Sequence, residues 1–207
     1  MARIIASMDP TTAPFPERAL RACALPALAL ARTLESCRRL LAVARAHAPT
    51  RGDERRLLAS RLAPDMLGLS HQVRVLADSV AGACAQLAGD AADPDAGHVF
   101  NRGDEATLGP PDTSLDEAIA RIDASLARVH ALTPATPLLR PGATLTVARP
   151  GHARRFVVED FVWRYVLPNA SFHATLVHAL LRAGGVPVGK ADFEGPPAYT
   201  LDSQEHA

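Results

Sequence analysis

Asn169 and His173 stand four residues apart in the stretch LPNASFH, a spacing that puts both side chains on one face of a helix. An imidazole so placed can serve as a general base, a proton shuttle or a metal ligand, and an amide one turn away can orient it or hold a bound molecule. Both sit in the middle of an arc otherwise formed by Val162, Tyr165, Val166, Leu176, Val177 and Leu180. A buried polar group without a partner costs about 1–3 kcal/mol, so polar residues on such a face need partners or a purpose. A second helical pattern repeats the signal. Met66, Leu69, Val73, Leu76 and Val80 form its apolar arc, and Asp65 and Gln72 lie at the edge. Asp65, Gln72, Asn169 and His173 are therefore the candidate lining of a polar pocket. By the same periodicity His71, with Arg74 and Asp78, and His178, with Arg164 and Arg182, are expected on the outer faces, in solvent. The alternative reading is a core network in which Asn169 and His173 satisfy each other, the backbone freed at Pro168, or a buried water.

The elements that must position these residues are helical. Residues 1–16, with Pro10, Pro14 and Pro16, read as an irregular lead-in. A first helix is expected from about Glu17 to His47, then a charged turn with one or two helical turns over 50–66. Pro64 followed by Asp65 has the form of a helix start, opening a second helix that runs to about Leu87. The Gly-, Asp- and Pro-rich stretch from Gly89 to Pro111 lacks periodicity and reads as a surface loop. Ser114 and Glu117 have capping-box spacing, and Leu115, Ile119, Ile122, Leu126 and Val129 follow as a third helix ending near Thr133 and Pro134. TLTVARPGHARRFVV predicts a small hairpin about Arg149, Pro150 and Gly151. A fourth helix starts near Glu159, is kinked at Pro168, and stops at Gly184 and Gly185. The fold class is all-α: a single four-helix-bundle domain over 17–195 with a hairpin before its last helix and a flexible tail over 196–207.

Composition narrows the function classes. The chain has 207 residues, 48% of them apolar, enough for one continuous core. Twenty-two basic residues balance twenty-two acidic ones, so no global field draws it to nucleic acid or an anionic membrane. Cys23, Cys37 and Cys84 are widely spaced without a C-x-x-C pair, as expected of buried free thiols in the cytoplasm. The stretch CALPALALA at 22–30 has the look of a secretory apolar segment, but Asp9 and Glu17 precede it and Pro26 interrupts it, so it reads as part of the first helix. No apolar run approaches the length of a bilayer span. The RGD tripeptides at 51–53 and 102–104 read as chance, and no dinucleotide, P-loop, serine-hydrolase or H-E-x-x-H motif is present. Lys190 is the only lysine among many arginines.

RLAPDM at 61–66 followed by His71-Gln72-Val73, LPNASFH at 167–173, and LLRAGGVPVGKADF at 180–193 together resemble an uncharacterised bacterial and fungal family within the DinB/YfiT-like superfamily. The resemblance runs from about Leu20 to Gly195. Its pattern includes Arg61, Pro64, Asp65, Gln72, Pro168, Asn169, Phe172, His173, Gly189, Lys190, Asp192 and Phe193. The chain departs from it at Ala170, Ser171 and His178, where aromatics are common in the family. The resemblance implies an up-and-down four-helix bundle with a pocket at one end, frequent homodimers and, in many members, a divalent metal on three histidines, two of them an H-x-x-x-H pair on the last helix. Here the residue four after His173 is Val177 and the one four before is Asn169, so His173 is the only plausible ligand and a metal is disfavoured.

Three functions compete on these residues, and none names a catalytic residue. The first is a bundle binding a small molecule in the Asp65, Gln72, Asn169 and His173 pocket. The second is a thiol-dependent transferase or metal-assisted enzyme with His173 as ligand or base. The third is a structural or self-association domain with a buried polar network. GKADF is expected to fold back on a bundle end, where Arg61, Lys190 and Asp192 would edge the pocket mouth and Asp192 would pair with Lys190 or Arg61.

Overall fold

The computed structural model describes residues 15–89, 105–132, 139–140, 142–149 and 152–196. Most of the expected lead-in and tail, the middle of the 89–111 loop, the helix stop at Thr133 and Pro134, and the hairpin's Pro150-Gly151 turn lie outside them. The chain order is α1 (Phe15–His47), α2 (Arg51–Ala59), α3 (Leu69–Leu87), a 3₁₀ turn (Glu105–Leu108), α4 (Leu115–His130), β1 (Thr144–Arg149), β2 (His152–Val157), α5 (Val158–Asp160), a π-helical segment (Phe161–Val166), α6 (Leu167–Ala183) and α7 (Lys190–Glu194). Among the described residues no helix is long and apolar enough to cross a membrane.

Apolar side chains at three- and four-residue spacing make the core. Leu30, Leu34, Cys37, Leu41 and Ala44 come from α1, Leu69, Val73, Leu76 and Val80 from α3, Leu115, Ala118 and Ile122 from α4, and Ala170, Ala174, Val177 and Leu181 from α6. Each large side chain removed from water contributes about 1.5–3 kcal/mol, so this seam supplies most of the driving force for assembly. The helices form a ring in which α1 neighbours α4 and α6, and α3 neighbours the same two. Arg45 pairs with Asp116 and Arg38 with Asp123, so α1 and α4 are antiparallel. Ser70 meets Asp112 and the Ala77 carbonyl meets Ser125, so α3 and α4 run parallel, joined by the long connection between them. Gln72 meets His173, and the π segment upstream also packs on α3, so α3 and α6 are antiparallel.

Local chemistry explains the ends of these elements. Ser114 Oγ accepts from the Glu117 amide at 3.2 Å, while the Glu117 carboxylate accepts from the Thr113 amide at 2.7 Å, a capping box displaced by one residue. At the end of α6 the Val186 amide bonds the Leu181 carbonyl and the Gly185 amide bonds that of Arg182. This Schellman turn places Gly185 at φ 86°, where a side chain would be strained. At Pro168, where a kink is expected, the structure has a π segment: the Leu167 amide bonds the Val162 carbonyl, five residues back, just before the proline that has no amide to give.

Pro64 and Asp65 do not start a helix. α3 begins at Leu69 behind Gly68, because the chain over 60–68 folds into a turn. The Leu69 amide bonds the Ser60 carbonyl, the Met66 amide bonds that of Ala63, and Arg61 Nη1 closes the turn on the Met66 carbonyl at 2.5 Å. The expected hairpin is formed, Arg149 pairing with His152 and Thr144 with Val157. Leu145 and Val147 are buried, and Phe156 and Arg154 stand opposite them in register, so Arg154 belongs to the face turned toward the bundle.

Candidate functional site

Gln72 occupies the first turn of α3 and His173 the middle of α6, and the antiparallel packing of these helices brings them together. Both are buried, at 2% and 8% exposure. His173 Nδ1 lies 2.6 Å from Gln72 Oε1, and Gln72 Nε2 donates to the Leu67 carbonyl at 3.2 Å. That second bond fixes the amide: its nitrogen is committed to Leu67, so its oxygen faces the ring and must accept. Nδ1 therefore carries the proton, and in the neutral ring Nε2 holds the lone pair. An amide here does what a carboxylate or carbonyl does for many catalytic and ligating histidines, selecting the tautomer and the ring plane. Phe172, 57% exposed, sets its ring edge-on to the imidazole at 5.3 Å.

Asn169, one turn before His173 on α6, is half-buried, and its Nδ2 is out of contact with water and has no hydrogen-bond partner. One turn further back Tyr165 accepts a hydrogen bond from Arg154 Nη1 at 3.2 Å. Its ring is packed by Phe156 and Phe161, with centroids 5.0 and 6.1 Å away. Tyr165, Asn169 and His173 thus form a polar line along one helix face, with Gln72 at one end and Arg154 at the other. Arg154 and the Tyr165 hydroxyl were missed in the sequence, although strict strand alternation would have placed Arg154 on the inner face.

The other candidates lie elsewhere. Asp65 is exposed in the 60–68 turn and does not join Gln72 and His173. Arg61 Nη2 pairs with Glu105 at 2.7 Å. Lys190, exposed, pairs with Glu194 at 3.2 Å, and Asp192 accepts from the Gly189 amide at 2.7 Å, capping its own helix. Asp192 therefore bonds neither Lys190 nor Arg61. The GKADF stretch docks through backbone carbonyls instead: Ser36 and Arg39 donate to that of Phe193, Arg39 to that of Asp192, and Arg32 to that of Glu194. Cationic side chains at the carbonyl end of α7 suit its dipole.

His71 and His178 are not solvated. His71 is 5% exposed because the 105–112 segment covers the outer face of α3. Its Nδ1 lies 2.7 Å from Glu105 Oε1 and its Nε2 3.1 Å from the Gly109 carbonyl. Arg74 donates to the carbonyls of Leu108 and Pro110, and buried Asp112 takes Arg121 at 2.7 Å, so the segment is strapped to the bundle by ionic contacts. The Arg61 hydrogen bond, with lesser help from His71, holds the Glu105 carboxyl below the usual range. Burial pushes the Asp78 carboxyl up, against the pull of Arg121 and Arg74. His178 is half-buried, its Nε2 enclosed without a partner and its ring edge-on to Phe193 at 6.0 Å.

Nucleophile and metal chemistry find little support in these side chains. Burial pushes the Cys37 thiol up to about 12 and that of Cys84 up to about 11, far from a reactive thiolate. No three His, Cys, Asp or Glu side chains converge among the described residues. Among the described residues the donors around His173 do not fit the superfamily's divalent metal: one imidazole whose Nδ1 is tied to an amide, with buried Val177 at the i+4 position. A depression of about 140 Å³ at the α1–α2 corner, lined by His47, Asp53, Arg56 and Gly184, is separate from this line of residues.

Residues 25–194 match the family model described as Domain of unknown function (DUF1993). Among solved structures the chain is similar to that of a DinB family member protein from Shewanella denitrificans, with a TM-score of 0.68 and 25% sequence identity over 90% of this chain and 99% of that one. No curated protein matches it. On the strength of a match that starts within α1 and ends with α7, the chain belongs to the DUF1993 family and has a DinB-like helical bundle.

Proposed function

We propose that the α3–α6 seam binds a small polar molecule, with His173 as its central group and Asn169 as a donor to it. The observation that carries this reading is the enclosed, unpartnered Asn169 Nδ2 on the same helix face as a histidine whose tautomer is set. Such an orphan costs about 1–3 kcal/mol in the unliganded protein, a cost that an acceptor oxygen on a ligand would offset. His173, its Nδ1 tied to Gln72, stands one turn along the same helix face and supplies the imidazole of this reading.

A second reading is favoured by one feature. The relay from the Leu67 carbonyl through Gln72 to His173 is closed, as in a structural clasp that fixes the register of α3 against α6. A thermal-shift screen with low-molecular-weight thiols and metabolites, run on the wild type and on Asn169→Leu, separates the two. Binding predicts a compound that stabilises the wild type, by about 2.7 kcal/mol at a hundredfold excess over Kd, with the gain lost in the variant. If Asn169→Leu is simply more stable and no compound stabilises either protein, the clasp is the function.

A further inference from the structure

We infer that His71 latches the 105–109 turn onto α3 in a proton-dependent way: the doubly protonated ring clasps the turn, and loss of one proton loosens it. The latch stands apart from the Gln72–His173 bond and does not depend on the ligand reading. Both ring nitrogens of His71 meet acceptors. Nδ1 lies 2.7 Å from Glu105 Oε1 and Nε2 lies 3.1 Å from the Gly109 carbonyl oxygen, in a residue only 5% exposed. A neutral imidazole has one N–H, so it donates to one of these oxygens and turns a lone pair toward the other. The imidazolium donates to both, and its charge answers the Glu105 carboxylate. The turn is built around the contact. Gly109 sits at φ 73°, where a side chain is strained, and a Cβ there would stand 3.0 Å from Arg74 Nη1.

The charges packed around the strap make its two ends different. At the near end Arg61, from the 60–68 turn, pairs with Glu105 at 2.7 Å and holds that carboxyl below its usual range. At the far end Asp112 takes Arg121 of α4 at 2.7 Å, and its amide donates to Ser70 Oγ at 2.6 Å. On α3 itself Arg74 donates to the carbonyls of Leu108 and Pro110, and Asp78 lies two turns beyond His71. Arg61 and Arg74 thus oppose the ring's charge, Glu105 and Asp112 favour it, and Glu105 is the one in contact. Arginines keep their protons, so the Asp112 end stays fastened while the Glu105 end depends on His71. As pH rises and the ring loses a proton, one acceptor is deserted and the attraction to Glu105 falls. As pH drops, the latch lasts until Glu105 itself takes up a proton. What loosens is the cover over the outer face of α3.

The test follows the full ¹⁵N-labelled chain from about pH 5.5 to 8.5, the span in which histidine titrates. Long-range ¹H–¹⁵N spectra read the His71 ring, and relaxation gives the backbone order parameters of residues 105–109. At the acid end both ring nitrogens should be protonated and the turn rigid, at about 0.85, and as the ring loses a proton the values should fall below about 0.6 with the same midpoint. His71→Gln, which has no proton to lose in this span, should abolish that pH response. Glu105→Gln, which keeps an acceptor oxygen but removes the charge, should move the loosening to lower pH. A ring that does not titrate in this span, or a turn that stays rigid while it does, would overturn the inference. So would the same pH response in His71→Gln, or an unmoved midpoint in Glu105→Gln. If His71→Gln does not fold, the wild-type titration and Glu105→Gln decide the matter.

Discussion

Gln72→Leu removes the acceptor that His173 Nδ1 uses across the α3–α6 seam. In the wild type the bond from His173 Nδ1 to Gln72 Oε1 is 2.6 Å long, and both residues are buried. Leucine in place of Gln72 leaves the ring N–H without its acceptor and the Leu67 carbonyl without its donor. Each deserted group costs about 1–3 kcal/mol. Replacing the histidine as well, in Gln72→Leu/His173→Phe, takes the polar partner out with the amide, so the double variant should be less destabilised than the sum of the single ones by about 1–3 kcal/mol. For a chain of this length each kcal/mol moves Tm by about 2–4 °C, so Gln72→Leu, which deserts both groups, should lower Tm by roughly 4–24 °C. Urea denaturation of all four proteins gives the coupling directly. Additive effects, or a Gln72→Leu variant as stable as the wild type, would refute the bond and with it the assigned tautomer.

Other consequences are equally open to measurement. The Glu105 carboxyl is held below its ordinary range in the folded protein by Arg61, so its contribution is present above the unfolded value, near pH 4.3, and is lost as pH falls through the folded value. Acid denaturation of Glu105→Gln should accordingly show a weaker pH dependence on the acid side than the wild type, and identical curves would count against the Arg61–Glu105–His71 contact. In a Cys23→Ser background the native protein should resist a thiol reagent at pH 8, since Cys37 and Cys84 are buried with thiols raised to about 12 and about 11, and both should react on unfolding. Gly185→Ala, forced to φ 86°, should lose about 1 kcal/mol by urea denaturation, whereas an unchanged midpoint would mean that the Schellman turn is not formed.

Periodicity in the sequence was enough to place the long helices, the hairpin and the meeting of Gln72 with His173, because each depends on which face of one element is apolar. The errors share a cause. A helical wheel knows the core side of a helix but not what the rest of the chain lays over its other side. His71 was assigned to solvent because its face points away from the core, yet the 105–112 segment covers that face with Glu105 and the Gly109 carbonyl. His178 was assigned there for the same reason, and Phe193 of α7 covers it. Pro64-Asp65 has the composition of a helix start, but the distant closure of Leu69 on Ser60 makes it a turn and leaves Asp65 exposed. Arg154 is legible only through the strand's period of two, which sets it on the same face as buried Val147 across the hairpin.

The most direct test of the site is the protonation of the His173 ring, read from a long-range ¹H–¹⁵N spectrum at pH 8. The account predicts the Nδ1–H tautomer, and loss of that preference in Gln72→Leu. A neutral ring protonated at Nε2 in the wild type would contradict the Gln72 bond and the tautomer that it sets.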